Sequence, residues 1–549
     1  MYHWAIGAAI LSSPRLPDII MTSQAVTAEK KLTYVTLLAD PTIHPKYETA
    51  LKEVEREFGK HHPMFIEGRS VLAGEGEFEV KSPVDTSVLL GYFQKGAYLY
   101  VRKAIEAANS AFSDWSGRPW TERVSIVRKA ADLMEKKMFP LSALVTYEVG
   151  KNRYEAIGEV NETIDMLRYY ADLMEENQGY VRSMKPGAPG ERTKSILRPY
   201  GAWAVISPFN FPLALAGGMV TGALITGNTV VFKPTSAAPF CGLKLYETLV
   251  EAGVPGGAIN YITGPGGLMG EEIAKNEDVA GIAFTGSRDV GMNIYREFVN
   301  SQPYPKPFIS EMGSKNPAII TAKAELEKAA EGVARSAYGY GGQKCSATSR
   351  VYVERGIKND FLKILQDKVS KLKVGDAREK DVFIGPVIDE KAVKKYERSI
   401  EQARKDGGKV TATGDLLGIP KGHYVKPAIV VGLPSKHKLV KEELFVPLIV
   451  VDEFNTLDDA LHKANDTEFG LTAGIFSKDP KEIEQFFRNI DFGVTYSNRR
   501  GGATTGAWPG SQSFSGWKGS GATGKGVGGP YYLTQFMREQ AQTMVEEAV

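Results

Sequence analysis

Ala202-Trp-Ala-Val-Ile206 is the first of four short apolar runs that decide how this chain folds. The others are Asn228-Thr-Val-Val-Phe232, Ala258-Ile-Asn-Tyr-Ile262 and Val279-Ala-Gly-Ile-Ala-Phe284. Helical patterns lie between and after them, at Cys241–Ala252, Gly270–Asn276 and Ser287–Val299. Strand, loop and helix repeated at this spacing predict a parallel sheet with right-handed crossovers. Ligands of such sheets bind at the carboxyl ends of the strands.

The segments around this core follow related patterns. Apolar residues recur at helical spacing before it, over 45–58, 98–115, 121–138 and 154–176. A second alternating region runs from about Leu326 to Val494. Residues 180–199 are punctuated by Pro and Gly, which favours a hairpin or an arm outside the core. Residues 531–545 read as a further arm.

Length and composition exclude several classes of protein. The chain has 549 residues, of which 43% are hydrophobic and 24% charged, as is ordinary for a globular protein. A net charge of +2 gives no electrostatic reason to expect nucleic acid or an acidic membrane as a partner. No apolar run reaches the roughly 18 residues of a membrane span. The two cysteines and seven histidines lack the spacing of a zinc site, so we expect no metal.

Cys345 is the candidate nucleophile. It follows the Gly-rich stretch Tyr338-Gly-Tyr-Gly-Gly-Gln-Lys344, where backbone amides can approach a substrate. Cysteine attacks as the thiolate, so it needs a lowered pKa or a nearby base. Glu311 precedes a glycine-containing turn, Met312-Gly-Ser-Lys-Asn316-Pro, and would supply that base. From the residues alone, Cys345 equally fits a small buried hydrophobe, as Cys241 does, and Glu311 fits a solvated surface carboxylate.

These motifs resemble the aldehyde dehydrogenase family. The match, Gly-Gln-x-Cys after Glu-x-Gly-x-Lys-Asn-Pro, belongs to a resemblance that runs from about Phe65 to Val545. It implies that Cys345 is the nucleophile and Glu311 the general base, with Ser314 standing where glycine is usual. It also implies an α/β fold with a Rossmann-like cofactor domain, a second α/β catalytic domain and a small β oligomerisation arm. We assign an N-terminal extension to 1–44, the dinucleotide-binding domain to 45–179 and 200–312, the catalytic domain to 313–514, and the arm and tail to 180–199 and 515–549.

Asn210, in Ser207-Pro-Phe-Asn-Phe-Pro212, is the candidate oxyanion ligand. An Asx turn before Pro212 also fits this residue. The resemblance favours an oxyanion hole made by the Asn210 amide and the Cys345 N–H. It further implies attack of the thiolate on an aldehyde, transfer of a hydride to nicotinamide, and hydrolysis of the resulting thioester by a water that Glu311 activates. Members that pass the acyl group to coenzyme A lack that base.

Phe284-Thr-Gly-Ser287 is the strongest cofactor motif. It lies where a predicted strand turns into a helix, so free amides and the positive end of the helix dipole would face a pyrophosphate. A simple N-cap at Ser287 is the alternative. Gly264-Pro-Gly-Gly-Leu-Met-Gly270 has the spacing GxGxxxG, which is a weak dinucleotide signal by itself.

The resemblance supplies the other cofactor contacts. Lys233 matches a lysine that contacts the adenosine ribose, and three residues later this chain has Ser236 where many NAD-preferring members carry glutamate. We therefore predict that NADP is used, alone or beside NAD. Glu443 and Phe445 match residues beside the nicotinamide and its ribose, although a solvated turn also fits them, and Val446 replaces a usual glycine. The predicted cofactor contacts are Ile206, Ser207, Pro208, Phe209, Lys233, Ser236, Gly266, Phe284, Thr285, Gly286, Ser287, Glu443 and Phe445.

The tail points to the aldehyde. Gly510-x-Gln-x-Phe-x-Gly516 followed by Ser520-Gly and by Gly528-Gly-Pro-x-Tyr resembles 1-pyrroline-5-carboxylate dehydrogenases, which oxidise glutamate semialdehyde to glutamate. The resemblance implies that Ser346 and the segment Gly519-Ser520-Gly521 hold the substrate's carboxylate and amine, since glycine amides can wrap a carboxylate. A flexible loop without a ligand is the alternative. Gln512-Ser-Phe replaces Gln-Pro-Phe, so another semialdehyde or a broad range of aliphatic aldehydes stays open as substrate.

Two expectations concern the cell and the chain start. Two cysteines in so long a chain suit a reducing compartment, so we expect the cytoplasm. Two predicted arms argue for at least a homodimer. Met21-Thr-Ser reads like a second start, which would make residues 1–20 an addition or a disordered leader. A non-enzymatic role is the remaining alternative, and loss of Cys345, Glu311 or Asn210 would be expected for it.

Overall fold

The computed structural model describes residues 41–412, 416, 419–501 and 508–545. The expectations about residues 1–20 and Met21, and all but the last four residues of the predicted N-terminal extension, lie outside this part of the chain. The helix Ile43–Glu55 is the first regular element described.

The strands are numbered here in chain order. They are β1 Lys60–His62, β2 Met64–Ile66, β3 Arg69–Val71, β4 Glu77–Lys81, β5 Leu89–Gln94, β6 Val181–Met184, β7 Glu191–Pro199, β8 Ala202–Ile206, β9 Thr229–Lys233, β10 Ile259–Tyr261, β11 Gly281–Gly286, β12 Phe308–Met312, β13 Asn316–Ile320, β14 Thr348–Glu354, β15 Lys409–Ala412, β16 Ala428–Val431, β17 Leu448–Phe454, β18 Phe469–Gly470, β19 Thr472–Phe476, β20 Val494–Ser497, β21 Trp517–Lys518 and β22 Met537–Val545.

The α-helices of the described residues alternate with most of these strands. They span Ile43–Glu55, Tyr98–Gly117, Trp120–Lys136, Met138–Val149, Arg153–Glu176, Ala214–Ile225, Pro239–Ala252, Gly266–Lys275, Arg288–Ser301, Leu326–Tyr338, Lys358–Ser370, Glu390–Lys405, Lys438–Lys441, Leu457–Asn465 and Pro480–Asn489. Short 3-10 turns lie at Gln178–Tyr180, Gly339–Gly342, Arg355–Ile357 and Leu533–Phe536.

The first large sheet has the order β12-β11-β8-β9-β10-β2-β3. Its strands β8 to β12 are parallel, while β2 and β3 pair antiparallel at one edge. Strands β8 and β9 are almost wholly buried, as expected of strands covered by helices on both faces. The predicted parallel sheet is therefore confirmed, and the predicted strand Ala202–Ile206 has the predicted bounds.

The second large sheet has the order β15-β16-β17-β14-β13-β19-β20. All its pairings are parallel except β15 with β16. The chain passes from the first sheet to the second between Met312 and Asn316. Residues 517–522, which the sequence groups with the arm, lie instead against the second sheet region and β12: β21 pairs with β18, and Gly521 bridges to Glu311.

The arm is a three-stranded antiparallel sheet of order β22-β7-β6. Strand β22 pairs with β7 along nine residues, from Met537 with Pro199 to Val545 with Glu191. Apolar side chains on it are exposed, namely Val181, Met184, Met544 and Val545. Among the described helices, none has the length and apolar character required to cross a bilayer.

Candidate active site

One cavity of about 770 Å³ lies between the two large sheets. Four of its lining residues are the last residues of parallel strands of the first sheet: Ile206, Lys233, Gly286 and Met312. Others precede strands of the second sheet, including Cys345 before β14 and Glu443 before β17. The carboxyl ends of the first sheet therefore face the amino ends of two strands of the second, as expected for ligand sites in parallel sheets.

The three predicted catalytic residues line this cavity together. Cys345 is half-buried in the turn before β14, Glu311 is buried within β12, and Asn210 is buried in the loop after β8. They come from chain segments separated by up to 135 residues, so only the tertiary fold brings them together. Their convergence makes one reaction centre geometrically possible.

Burial dominates the electrostatics of the nucleophile. It raises the pKa of the Cys345 thiol, and the carboxylates of Glu443 and Glu311 raise it further. The N–H groups of Cys345 and Ser346 donate toward the sulfur and act in the opposite direction, but they do not prevail. Of the two conditions that the sequence left open, a lowered thiol pKa or a nearby base, the raised pKa favours the second.

Glu311 has the properties of such a base. Burial raises its pKa well above the ordinary range, and the Gly516 N–H, which donates to the carboxylate, opposes that rise. Its Oε2 is buried and has no hydrogen-bond partner in the described part of the chain. A buried carboxylate with a raised pKa and one unpaired oxygen is, in its ionised form, a stronger base than a solvated carboxylate.

The tail fixes the strand that carries this carboxylate. The Met312 N–H donates to the Ser520 carbonyl at 2.7 Å, and the Ala522 N–H donates to the Ser310 carbonyl at 3.0 Å. The Ser520 hydroxyl donates to the Gly313 carbonyl and accepts from the Gly470 N–H. Glu311 is therefore held between β11 on one side and the Gly-rich tail on the other.

A second network holds the nucleophile loop. The Asn316 side-chain amide donates to the carbonyls of Cys345 and Ala347, at 2.7 and 2.9 Å, and its oxygen accepts from the Thr472 N–H. The Ser314 hydroxyl accepts from the Leu471 N–H at 3.3 Å, a bond that a glycine at this position would lack. Neither role is apparent from the sequence around Ser314 and Asn316.

All thirteen predicted cofactor residues line the same cavity. Ser287 also caps the helix Arg288–Ser301, since its hydroxyl accepts from the Val290 N–H, so the two interpretations of this residue are compatible. Burial lowers the pKa of Lys233 to about 8. The Ser236 hydroxyl donates to the Gly264 carbonyl at 2.9 Å.

Further lining residues were missed by the sequence analysis. They are Thr235, Gly267, Gly270, Glu271, Ala274, Val290, Asn293, Ile294, Glu297, Met312, Gly313 and Lys395. Four of them lie on one face of the helix Arg288–Ser301, with the spacing i, i+3, i+4, i+7: Val290, Asn293, Ile294 and Glu297. This spacing was the feature of the sequence from which they could have been predicted. Lys395 lies on a helix of the second region, and nothing in its local sequence indicates the cavity.

The lining fits a dinucleotide. Space is open where a side chain at Gly266 or Gly267 would project, at the start of a helix whose first N–H groups lack a side-chain cap. The Ser207 hydroxyl is buried in the lining and lacks a hydrogen-bond partner among the described residues. Glu443 accepts from the Ser314 N–H at 2.8 Å, and burial raises its pKa to about 6. Rings of Phe209 and Phe445 meet edge to face at 5.9 Å.

The four predicted substrate residues are outside this lining. Ser346 is buried beside the nucleophile. The N–H groups of Gly519 and Ser520 donate to the carbonyls of Glu468 and Trp517, so this conformation does not offer them to a substrate. Gly521 lies against Glu311. Within the described ranges, no group of three or more His, Cys, Asp or Glu side chains is arranged to hold a metal ion.

Comparisons with known proteins agree on one family. The aldehyde dehydrogenase family model matches residues 71–541. A curated relative from Halalkalibacterium halodurans, 1-pyrroline-5-carboxylate dehydrogenase 1, is 36% identical over 505 residues, which is 91% of this chain and 96% of the relative. The crystal structure of 1-pyrroline-5-carboxylate dehydrogenase from Thermus with bound NAD superposes with a TM-score of 0.88 at 34% identity, covering 92% of this chain and 97% of that one. An NADP-dependent enzyme of E. coli gives a TM-score of 0.82 at 31% identity, covering 89% and 99%.

Proposed function

The chain belongs to the aldehyde dehydrogenase family and is an NAD(P)-dependent oxidoreductase, and on that basis we propose that it oxidises L-glutamate 5-semialdehyde to L-glutamate. The observation that supports the catalytic assignment is the convergence of Cys345, Glu311 and Asn210 on one cavity, beside residues that fit a dinucleotide. The choice of aldehyde rests on the tail motif and on the names of the relatives.

Each side chain has a defined task in this proposal. Glu311 removes the proton that burial retains on Cys345, and the Cys345 sulfur attacks the carbonyl carbon. The Asn210 amide and the Cys345 N–H donate to the oxyanion that forms. NAD(P) held by the residues that line this cavity would supply the acceptor for the hydride that leaves this carbon as the carbonyl re-forms. The product of that transfer is an acyl thioester on Cys345. After its first proton has passed to solvent, Glu311 takes a proton from the water whose attack breaks the C–S bond, expels the Cys345 thiolate and releases the acid.

The cofactor preference follows from the adenosine end of the cavity. Lys233 is buried there and Ser236 stands where a carboxylate would repel a 2′-phosphate. Of the similar proteins named above, one is described with bound NAD and one as NADP-dependent, so both cofactors occur among proteins similar to this chain. We therefore assign use of NADP as well as NAD to this chain.

Substrate contacts are assigned to Ser346 and to the backbone of Gly521. Ser346 adjoins the nucleophile, and Gly521 adjoins the base. The N–H groups of Gly519 and Ser520 already donate to carbonyls of the protein and so are not offered to a substrate carboxylate. This favours a second candidate function, oxidation of another semialdehyde or of a range of aliphatic aldehydes. We assign self-association to the arm sheet. We also assign the protein to the cytoplasm, because its two cysteines are unpaired, as is usual in a reducing compartment.

A panel of aldehydes decides between the two candidates. Purified protein is assayed for NAD(P)H formation with glutamate 5-semialdehyde, succinate semialdehyde and hexanal. We expect kcat/KM for glutamate 5-semialdehyde to exceed the others by about 100-fold, which is about 2.7 kcal/mol of discrimination. Ser346→Ala should reduce that ratio while leaving kcat/KM for hexanal almost unchanged. Equal efficiency for all three aldehydes would contradict the assignment.

A further inference from the structure

Lys151 and Glu159 form a fully buried ion pair close to the active site. Both side chains have 0% exposure, and the Lys151 ammonium lies 2.6 Å from Glu159 Oε2. Charges taken out of water are costly unless they are paired and hydrogen-bonded, and replacing a buried pair with apolar residues is often neutral for stability. The contacts of this pair indicate a role other than stability.

Glu159 binds the start of a neighbouring helix. Its Oε1 accepts from the N–H groups of Leu213 and Ala214, at 2.8 and 3.3 Å. These N–H groups begin the helix Ala214–Ile225, whose own N-cap residue, Leu213, provides no side-chain acceptor. A carboxylate supplied by another helix therefore caps this one and matches the positive end of its dipole. The two bonds fix the backbone three and four residues after Asn210.

Lys151 contacts the loops on both sides of the reaction centre. Its ammonium lies 3.4 Å from the centroid of the Phe211 ring, and Phe211 directly follows Asn210. It also lies 5.0 Å from the ring of Tyr340, in the Gly339–Gly342 turn that precedes Cys345. The Tyr340 hydroxyl donates to the Val149 carbonyl at 2.7 Å, which ties that turn to the segment carrying Lys151. One ammonium thus contacts both the loop that carries Asn210 and the turn that precedes Cys345.

We propose that Lys151 and Glu159 are positioning residues that hold the Asn210 amide at the correct distance from the Cys345 sulfur. This inference rests on the proposed function of Asn210. The cap from Glu159 and the cation–π contact from Lys151 both act on the short loop from Asn210 to Ala214. A displacement of about 1 Å at a reacting group can lower the rate about 100-fold, so the loss of this positioning would be measurable in kcat.

A matched pair of double variants isolates the effect. Lys151→Met with Glu159→Leu removes both charges and the acceptor, whereas Lys151→Met with Glu159→Gln removes the charges and keeps an amide oxygen for the Leu213 N–H. We expect the first to lower kcat at least about tenfold and the second to recover most of that loss. The rate at which iodoacetamide alkylates Cys345 should stay within about threefold of the wild-type rate, because the thiol remains in place. The Kd for NADP, measured by protein fluorescence, should also stay within about threefold, because the cofactor cavity is unchanged.

Two further measurements separate positioning from general stability. Arg153→Met with Glu48→Leu removes another ion pair, between the helices Ile43–Glu55 and Arg153–Glu176, and should lower Tm without lowering kcat. In an Asn210→Ala background, the Lys151/Glu159 change should add little further loss, because it acts through that amide. Unchanged kcat in the first double variant, or losses that multiply in the Asn210→Ala background, would overturn the proposal. If Asn210→Ala alone keeps full kcat, the proposed function of Asn210 fails, and the positioning role fails with it.

Discussion

The Cys345 thiol and the Glu311 carboxyl lie in one cavity, and burial raises the pKa of both. A thiol held protonated is a poor nucleophile, and an ionised carboxylate with a raised pKa is a stronger base than a solvated one. The two shifts therefore complement each other in the proposed mechanism, in which Glu311 accepts the proton of Cys345. At the scale of single residues, this pairing is the central feature of the site.

Replacing the two residues separately tests their roles. Cys345→Ala should reduce NAD(P)H formation to background. Glu311→Gln should lower the steady-state rate by about 10²–10⁴ and also slow the first turnover, because deprotonation of Cys345 and hydrolysis of the thioester both use this carboxylate. Stopped-flow absorbance measures both. Cys241→Ala, a control at the other, buried cysteine, should keep the wild-type kcat. Turnover by Cys345→Ala at the wild-type rate would rule out the covalent route.

Ser236 offers a second test at residue scale. Ser236→Glu places a carboxylate in the cavity near Lys233, where it would repel a 2′-phosphate and accept from ribose hydroxyls. We expect kcat/KM for NADP to fall about 100-fold and that for NAD to hold or rise. Ser236→Ala is the control and should change the ratio little. A wild-type preference for NAD of about 100-fold, near 2.7 kcal/mol, would show the Ser236 argument to be wrong.

At the scale of elements, several helices are capped by side chains from elsewhere in the chain. Glu159 binds the start of Ala214–Ile225, and Glu148 binds the start of Pro239–Ala252 through the N–H groups of Phe240 and Cys241, at 2.6 and 2.7 Å. The hydrophobic periodicity predicts that the helix Pro239–Ala252 begins at Cys241, two residues after its true start. The sequence near Pro239 gives no start signal, because the capping residue Glu148 lies about ninety residues earlier in the chain. The helix Gly266–Lys275 was likewise placed from Gly270, since its first turn contains two glycines, which favour turns over helices.

Glu148 gives a pH dependence of stability. Burial raises its pKa from 4.5 to about 7, so the folded protein binds this proton more tightly than the unfolded chain. Its stabilising contribution is complete below about pH 4.5 and is lost as the pH rises through about 7, on the order of a few kcal/mol. Glu148→Gln cannot titrate, so its Tm relative to wild type should be higher at pH 8 than at pH 5. Thr248→Val, a non-titrating change on the same helix, should give the same difference at both pH values. A Tm difference for Glu148→Gln that is equal at pH 5 and pH 8 would contradict this.

At the scale of the whole molecule, the two sheets and the arm have separate tasks. The sheets meet around the cavity, and the tail segment 516–522 binds β12 instead of joining the arm. The arm leaves the outer strands β6 and β22 unpaired along their outer edges in the described chain, with exposed apolar side chains on both. Unpaired edges and exposed apolar residues mark a surface for another chain.

Arm substitutions test self-association. We expect the wild-type protein to exceed its 60.0 kDa chain mass in light scattering. Val181→Asp combined with Met184→Asp and Met544→Asp should shift it toward the monomer, because the charges oppose burial in an interface. Leu99→Asp, at an equally exposed apolar residue outside the arm, should keep the assembly. A wild-type mass of one chain would refute an oligomer built through the arm.

The sequence by itself determined the parallel sheet, the family and the chemical identity of the three candidate catalytic residues. These depend on local patterns: strand and helix periodicity, glycine turns, and motifs that are contiguous in the chain. Only the tertiary structure decided that residues 210, 311 and 345 share one cavity, that burial raises the pKa of the Cys345 thiol, and that the tail holds the strand carrying Glu311. The physical reason is that solvation and hydrogen bonding depend on neighbours in space, and the neighbours of Cys345 and Glu311 come from segments far apart in the chain.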